Sequence, residues 1–160
     1  MRGLDVDVVI ASASPWSRRS DNAHSVELPS NVTVTSLTQR ELRDQIGKSD
    51  LLIMPLKDTD FQAGITTILE AMSMGRPVIC SAAVGQTDVV SDGVNGVYVP
   101  PGDVAAMRTA IEKLIANPDE AASMGKLGRE LAEERADVRV YADLFADIVR
   151  SHLPAVTSGR

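Results

Sequence analysis

The run of residues 51–81, LLIMPLKDTDFQAGITTILEAMSMGRPVICS, constrains the fold more than any other stretch of this chain. It opens with a short apolar run typical of a buried strand, continues through a polar loop and changes to helical spacing at Gly64. A second glycine, Gly75, precedes another short apolar run that begins at Pro77. Strand, helix and strand in this order predict a βαβ unit, which places two parallel strands in one sheet.

The same alternation of strands and helices continues on both sides of this unit. The residues from Val6 to Ala11 form a run rich in β-branched side chains, which predicts a strand buried on both faces. Thr38 and Glu41 have the spacing of a capping box, and Asp103 precedes a later helical pattern. We predict strands at 6–11, 31–36, 51–55, 77–80 and 97–99, loop at 12–30, a helical turn at 86–91, and helices at 38–48, 64–74, 103–117, 119–134 (with Pro118 at its start) and 138–151.

This pattern predicts an α/β fold with a doubly wound parallel sheet of about five strands. The fold class is a Rossmann-like, three-layer α/β/α arrangement that ends in a helical segment from about residue 103. A length of 160 residues is typical of one domain. We therefore predict a single domain over 1–153 and a loose tail over 154–160.

Composition and charge exclude several classes of protein. No apolar run approaches the roughly 20 residues that a membrane-spanning helix needs. A net charge of −6 without a basic cluster argues against sequence-independent nucleic-acid binding. The lone cysteine, Cys80, leaves no internal disulfide, is typical of a reducing compartment, and is expected in the core rather than as a nucleophile. We expect a cytoplasmic protein.

The loop at 57–63 and the helix start after it form the strongest candidate site. Ligands of doubly wound sheets bind outside the carboxyl ends of the strands, where this loop lies. The free N–H groups of Gly64, Ile65, Thr66 and Thr67 would point into the crevice and, with the helix dipole, bind a phosphate. Glu70 follows about 9 Å further along the axis, close to the reach from a phosphate to the ribose of one nucleotide. On these residues alone, a glycine-started helix with an exposed glutamate is equally consistent.

Two blocks of the chain resemble the signature of retaining glycosyltransferases of the GT-B fold, the large family 4 group. LEAMSMGRPVI at 69–79 is similar to that family's L-E-A-M-A-x-G-x-P-V-I pattern. PVICSAAVGQTDVVSDGVNGVYVPPGD at 77–103 is similar to its strand, glycine turn and D-G-x-N-G…P-P-G-D block. The resemblance runs from about Val6 to Arg150. It implies a nucleotide-sugar donor domain, whose full enzyme moves a sugar from a nucleoside diphosphate to an acceptor hydroxyl and retains the anomeric configuration.

The resemblance also implies roles for individual residues. In the family, two acidic residues eight positions apart hold the donor; Glu70 matches the second, which binds ribose hydroxyls. Gln62 stands at the position of the first, which contacts the sugar, and glutamine carries no charge. No catalytic residue is assigned, because relatives are thought to rely on the diphosphate itself. The implied contacts are Gln62, Ala63 and Gly64 for the donor sugar, Gly64, Ile65 and Thr66 for the diphosphate, and Glu70 for the ribose.

The chain departs from the family at its beginning. The family's domain usually opens with one more strand and helix, which carry an arginine and a lysine for the diphosphate, and a separate acceptor domain completes the active site. Neither is found in this sequence, so we expect a truncated donor domain that binds nucleotide weakly and does not turn over alone. The implied partners are the nucleotide sugar and the missing N-terminal acceptor domain, in an enzyme that is cytoplasmic or peripheral at the inner face of a membrane. No metal or other cofactor is expected.

Three alternative functions compete with this one. A degenerate, non-catalytic interaction module is favoured by Gln62 and by the missing basic pair. A receiver-like signalling domain needs an acidic pair after the first strand, where this chain has Ala11, Ser12 and Ala13. A sugar-nucleotide epimerase needs further acid–base residues, which the sequence does not offer.

Other features of the sequence favour structural roles. Asp58-Thr59-Asp60 has the form of the metal-binding D-x-D motif of the GT-A fold, but we favour a solvated acidic turn. Asp88 matches a family acid, and we favour a helix-start carboxylate that faces its own amides. Backbone near 36–38 is expected to hold the base, Trp16 to cover a sheet edge and His24 to lie on the surface. The last helix carries an apolar stripe that could drive self-association: Tyr141, Leu144, Phe145 and Ile148.

Overall fold

The computed structural model describes residues 4–11, 27–85 and 88–153. The strands of the described chain lie in its first two thirds together with two helices, and only helices follow, as the sequence predicts. The strands are β1 (Val8–Ala11), β2 (Val32–Thr35), β3 (Leu52–Met54), β4 (Val78–Ser81) and β5 (Gly96–Val99). The helices are α1 (Gln39–Lys48), α2 (Ile65–Ser73), α3 (Val104–Ala116), α4 (Pro118–Arg135) and α5 (Val138–His152).

All strand pairs are parallel, which confirms the predicted fold class. β4 lies between β3 and β5, and β1 pairs with β2. The hydrogen bonds therefore define a three-stranded and a two-stranded sheet rather than one continuous five-stranded sheet.

The prediction that the first strand is buried on both faces is wrong. Val9 and Ile10 of β1 are 38% and 44% exposed. Neither apolar core of the described chain contains a residue of β1 or β2, because the described helices pack on the three-stranded sheet. A β-branched run is compatible with burial, but only a covering element produces it.

The core lies on the two faces of β4, whose four residues are all buried. Val78 and Cys80 face a cluster with residues of α1, α2 and α4, while Ile79 faces a cluster with residues of α3 and α4. This alternation is the period-2 pattern of a strand between two helical layers. Burial raises the pKa of the Cys80 thiol to about 11, which agrees with its predicted place in the core.

The helix starts follow the predicted capping residues. The Thr38 hydroxyl accepts from the Glu41 N–H at 3.3 Å, and the Thr38 N–H donates to the Glu41 carboxylate at 2.8 Å, which completes the capping box. Asp103 accepts from the N–H of Ala106 at 2.8 Å, and Pro118 opens α4. The helical turn predicted at 86–91 is not found in its described part, residues 88–91.

The last helix, α5, has no buried residue. Its predicted apolar stripe is 57–67% exposed, and the rings of Tyr141 and Phe145 stack with centroids 6.3 Å apart. No helix in the described chain is both long and apolar enough to cross a membrane. The predictions for Trp16, His24 and the tail at 154–160 lie outside the described residues.

Candidate functional site

The start of α2 lies at the carboxyl end of β3, as predicted. Gly64 precedes the helix with a φ of +70°, a left-handed conformation that glycine adopts without steric cost. The first helical hydrogen bond runs from the Ile68 N–H to the Gly64 carbonyl at 3.1 Å. The N–H groups of Ile65, Thr66 and Thr67 come before that bond, so they have no acceptor within the helix.

No side chain of the described chain caps α2. Its first turn also contains no acidic residue. The other four described helices each carry an acid at the cap or in the first turn. The positive end of the α2 dipole is therefore not compensated by a carboxylate of its own helix start, which suits an external anion.

Two loops form a rim at this edge of the sheet: the β3 loop, residues 55–64, and the β4 loop, of which residues 82–85 and Asp88 are described. The Gly85 N–H donates to the Thr59 carbonyl at 3.0 Å, and the Val84 N–H reaches the Asp58 carboxylate at 3.5 Å. A Cβ on Gly85 would overlap the carbonyl of Phe61, so the close approach of the loops requires glycine. Val84 and Gly85 thus join the described parts of the two loops.

A contact between two side chains also joins the β3 and β4 loops. The Gln62 Nε2 donates to the Asp88 Oδ2 at 3.0 Å. The prediction of a helix-start carboxylate at Asp88 is wrong, because no helix begins there in the described chain. The sequence signal for this contact is topological: both loops follow neighbouring parallel strands and therefore meet at one edge of the sheet.

Asp58 and Asp60, the outer residues of the D-x-D sequence, lie on the β3 loop. Asp58 accepts weakly from the β4 loop, as described above. Within the described chain, no group of three or more histidine, cysteine, aspartate or glutamate side chains is arranged to hold a metal ion.

Glu70 opens into a groove of about 630 Å³ between α1 and α2. Its side chain is half-buried, and Thr66 of the helix start lines the same groove. The groove therefore connects the predicted ribose-binding residue with the predicted phosphate-binding turn. Its lining residues are Gln39, Arg40, Arg43, Thr66, Leu69, Glu70, Ser73, Met74 and Ala136.

Two arginines of α1, Arg40 and Arg43, line the groove and were not predicted as site residues. The neighbouring Glu41 carboxylate closes the capping box, and Asp44 pairs with Arg43 at 3.0 Å. The helical spacing of three residues between the two arginines could have indicated that they share a face.

Comparison with known proteins identifies the family. The family model described as "Glycosyl transferases group 1" matches residues 2–117. The chain belongs to this glycosyltransferase family. Alpha-D-kanosaminyltransferase of Streptomyces kanamyceticus is 28% identical over 151 residues, which are 93% of this chain and 38% of the relative. A GDP-mannose-dependent alpha-(1-6)-phosphatidylinositol monomannoside mannosyltransferase of Mycolicibacterium smegmatis is 30% identical over 122 residues, 74% of this chain and 32% of the relative.

Solved glycosyltransferase structures share the fold. Sucrose-phosphate synthase from Thermosynechococcus elongatus is 26% identical with a TM-score of 0.73 over 89% of this chain and 37% of its own. Anabaena Alr3699/HepE in complex with UDP-glucose is 24% identical with a TM-score of 0.67, over 78% of this chain and 33% of its own. The glycosyltransferase domain described here is of the GT-B type, and it spans about a third of the length of the relatives it matches.

Proposed function

We propose that this domain binds the nucleotide-sugar donor of a retaining glycosyltransferase. The observation that carries the proposal is the start of α2, which offers three N–H groups without a side-chain cap or an acid, on the same helix as Glu70. A nucleoside diphosphate combines an anion with a ribose, and this helix offers a partner for each.

In the proposed complex the diphosphate lies against the amides of Gly64, Ile65 and Thr66. Backbone N–H groups at a helix start bind phosphate because both the donors and the dipole favour negative charge. Thr66 is exposed, so its hydroxyl can add a further donor.

The ribose hydroxyls donate to the Glu70 carboxylate. Glu70 lies six residues beyond Gly64, which is about 9 Å along a helix. A carboxylate accepts hydrogen bonds from two neighbouring hydroxyls, and bonds to a charged acceptor are stronger than those between neutral groups.

The sugar of the donor lies at Gln62, Ala63 and Gly64. The full enzyme, with an acceptor domain, would transfer a hexose-like sugar to a hydroxyl with retention of configuration, at the inner side of the membrane or in the cytoplasm. The proposal uses helix amides for the diphosphate charge and requires no metal. It is supported by HepE, whose structures contain UDP and UDP-glucose, and by the GDP-mannose-dependent relative.

A second candidate function is a non-catalytic module that retains the fold. The observation that favours it is the neutral Gln62 at a position where the family carries an acid. Such a module need not bind a nucleotide, so nucleotide affinity separates the two candidates.

Calorimetric titration with UDP, GDP and ADP tests the proposal. We expect one of them to bind, and Glu70→Ala to weaken that binding by about 1–3 kcal/mol through loss of a hydrogen bond to a charged group. Glu112→Ala is the matched control, because it removes an exposed glutamate from α3, a helix that contributes no residue to the groove. Absence of binding by all three nucleotides, or an equal loss in both variants, would contradict the proposed site.

A further inference from the structure

Gln62 lies on the β3 loop and Asp88 on the β4 loop, and their side chains are in contact. The 3.0 Å hydrogen bond between them joins residues that are 26 positions apart in the sequence. We propose that the two side chains act as one unit that binds a hydroxyl group of the donor sugar, with Asp88 as the positioning residue. This inference rests on the function proposed above.

The hydrogen bond determines which end of the Gln62 carboxamide faces the sugar. An ionised carboxylate only accepts hydrogen bonds, so the NH₂ group must be the end that is turned towards Asp88. The Oε1 oxygen then points away from Asp88 and can accept a hydrogen bond from a sugar hydroxyl. A carboxamide without this partner could present either end, so Asp88 makes Gln62 a defined acceptor.

Asp88 also changes the strength of that acceptor. Hydrogen bonds with an ionised partner are stronger than neutral ones, and a chain of hydrogen bonds polarises its members. A carboxylate bound to the NH₂ group shifts electron density towards Oε1. The pair therefore presents a neutral amide oxygen with part of the accepting power of a carboxylate.

The backbone keeps the two side chains in register. The β3 and β4 loops are joined by the bond from the Gly85 N–H to the Thr59 carbonyl and by the close approach of Gly85 to Phe61. Gln62 is also only two residues before Gly64, which opens α2. A sugar attached to a diphosphate at this helix start would therefore lie beside the pair.

Exchanging the two functional groups tests the pair. Asp88→Asn keeps the shape but removes the charge, and we expect it to weaken sugar-nucleotide binding by about 3- to 10-fold. Gln62→Leu keeps the approximate size of the side chain but removes the acceptor, and we expect a loss of about tenfold. The double variant Gln62→Glu/Asp88→Asn exchanges acid and amide, and we expect affinity within about threefold of the unmodified chain.

The ligands are UDP-glucose with UDP and GDP-mannose with GDP, each titrated by calorimetry. We expect the nucleoside diphosphate to bind all variants within about twofold, because the pair contacts only the sugar. Asp60→Asn is the matched control, since it removes the same charge from the same rim without touching Gln62. Unchanged binding of sugar nucleotide by Gln62→Leu, or an equal response to Asp60→Asn and Asp88→Asn, would overturn the inference.

These titrations also separate the inference from the function on which it rests. If no nucleotide binds the unmodified chain, the proposed function is contradicted and the inference falls with it. If nucleotides bind but sugar-nucleotide affinity does not respond to Asp88→Asn, only the inference is contradicted.

A measurement without ligand tests the pair by itself. In NMR spectra without ligand, the side-chain NH₂ signals of Gln62 should differ between the unmodified chain and Asp88→Asn, but not between the unmodified chain and Asp60→Asn. Signals of Gln62 that are identical in all three proteins would show that the contact does not form in solution, which overturns the inference.

Discussion

The starts of α2 and α3 lie after β3 and β5 of one sheet, yet only α3 has a side chain that accepts from its free backbone N–H groups. α3 begins after Asp103, whose extended backbone lets its carboxylate accept from the Ala106 N–H at 2.8 Å. α2 begins after Gly64, which is left-handed and has no side chain to accept anything. Both helices have the positive end of their dipole at this start, but only in α3 does a carboxylate of the chain, that of Asp103, compensate it.

The difference shows where an external anion is expected. A capped helix start is stabilised without a ligand, while an uncapped one leaves N–H donors for water or for a ligand. The left-handed glycine has a second effect, because a Cβ at this position would press on the Met54 side chain. The α2 start is therefore less stable by itself and better suited to binding.

Filling the α2 cap position should give the largest change in stability. Gly64→Ala forces a left-handed alanine, at a cost of about 1–2 kcal/mol, and places its Cβ 3.1 Å from the Met54 Sδ. Chemical denaturation measures the free energy of unfolding. Gly93→Ala is the control, since its φ is +72° and a Cβ there would meet no atom within 4 Å. A smaller loss for Gly64→Ala than for the control would contradict the described packing of this helix start.

Removing the α3 cap should have a smaller effect. Asp103→Ala leaves the Ala106 N–H without its acceptor, and we expect a loss of about 1 kcal/mol in the free energy of unfolding. Asp103→Asn should retain most of the stability, because asparagine is an equally good capping residue. Equal losses in the two variants would mean that the charge of Asp103, rather than its capping bond, stabilises α3.

Acid should weaken the capped start of α1. The N–H of Thr38 and then its hydroxyl lower the pKa of Glu41 from the ordinary value of 4.5. A lowered pKa means that this contribution is present above about pH 4.5 and is lost as the pH falls through the lowered value.

Glu41→Gln keeps a capping-box residue but removes its titration. We expect the unmodified chain to be more stable than this variant at pH 7, and the difference to shrink below about pH 4.5. Chemical denaturation at several pH values measures this difference in the free energy of unfolding. A difference that stays constant between pH 7 and pH 3 would contradict the role of the ionised Glu41.

The accuracy of the sequence predictions follows the range of the interactions involved. The bond between Thr38 and Glu41 spans three residues, and Asp103 caps the helix that follows it, so local pattern was sufficient for both. The short apolar run that forms β4 likewise predicted a buried strand, because a continuous apolar run between turn residues is a local signal.

The features that were predicted wrongly or not at all depend on contacts between distant segments. The apolar run of β1 gave no indication of whether a helix would cover it. The contact of Gln62 with Asp88 depends on how two loops meet, and the entry of Arg40 and Arg43 into the groove depends on the packing of α1 against α2. The roles of Gln62, Gly64, Ile65, Thr66 and Glu70 in donor binding stay predictions, although the structure gathers them on one loop and helix.

Placing an acid in the first turn of α2 tests the central claim most directly. Thr66→Glu should raise the free energy of unfolding by about 0.3–1 kcal/mol, because it compensates the dipole, yet weaken nucleoside diphosphate binding at least about tenfold. Ala105→Glu, at the equivalent exposed position of α3, should leave that binding unchanged. Equal affinity of the Thr66→Glu variant and the unmodified chain in calorimetric titration would contradict the assignment of this helix start as the diphosphate site.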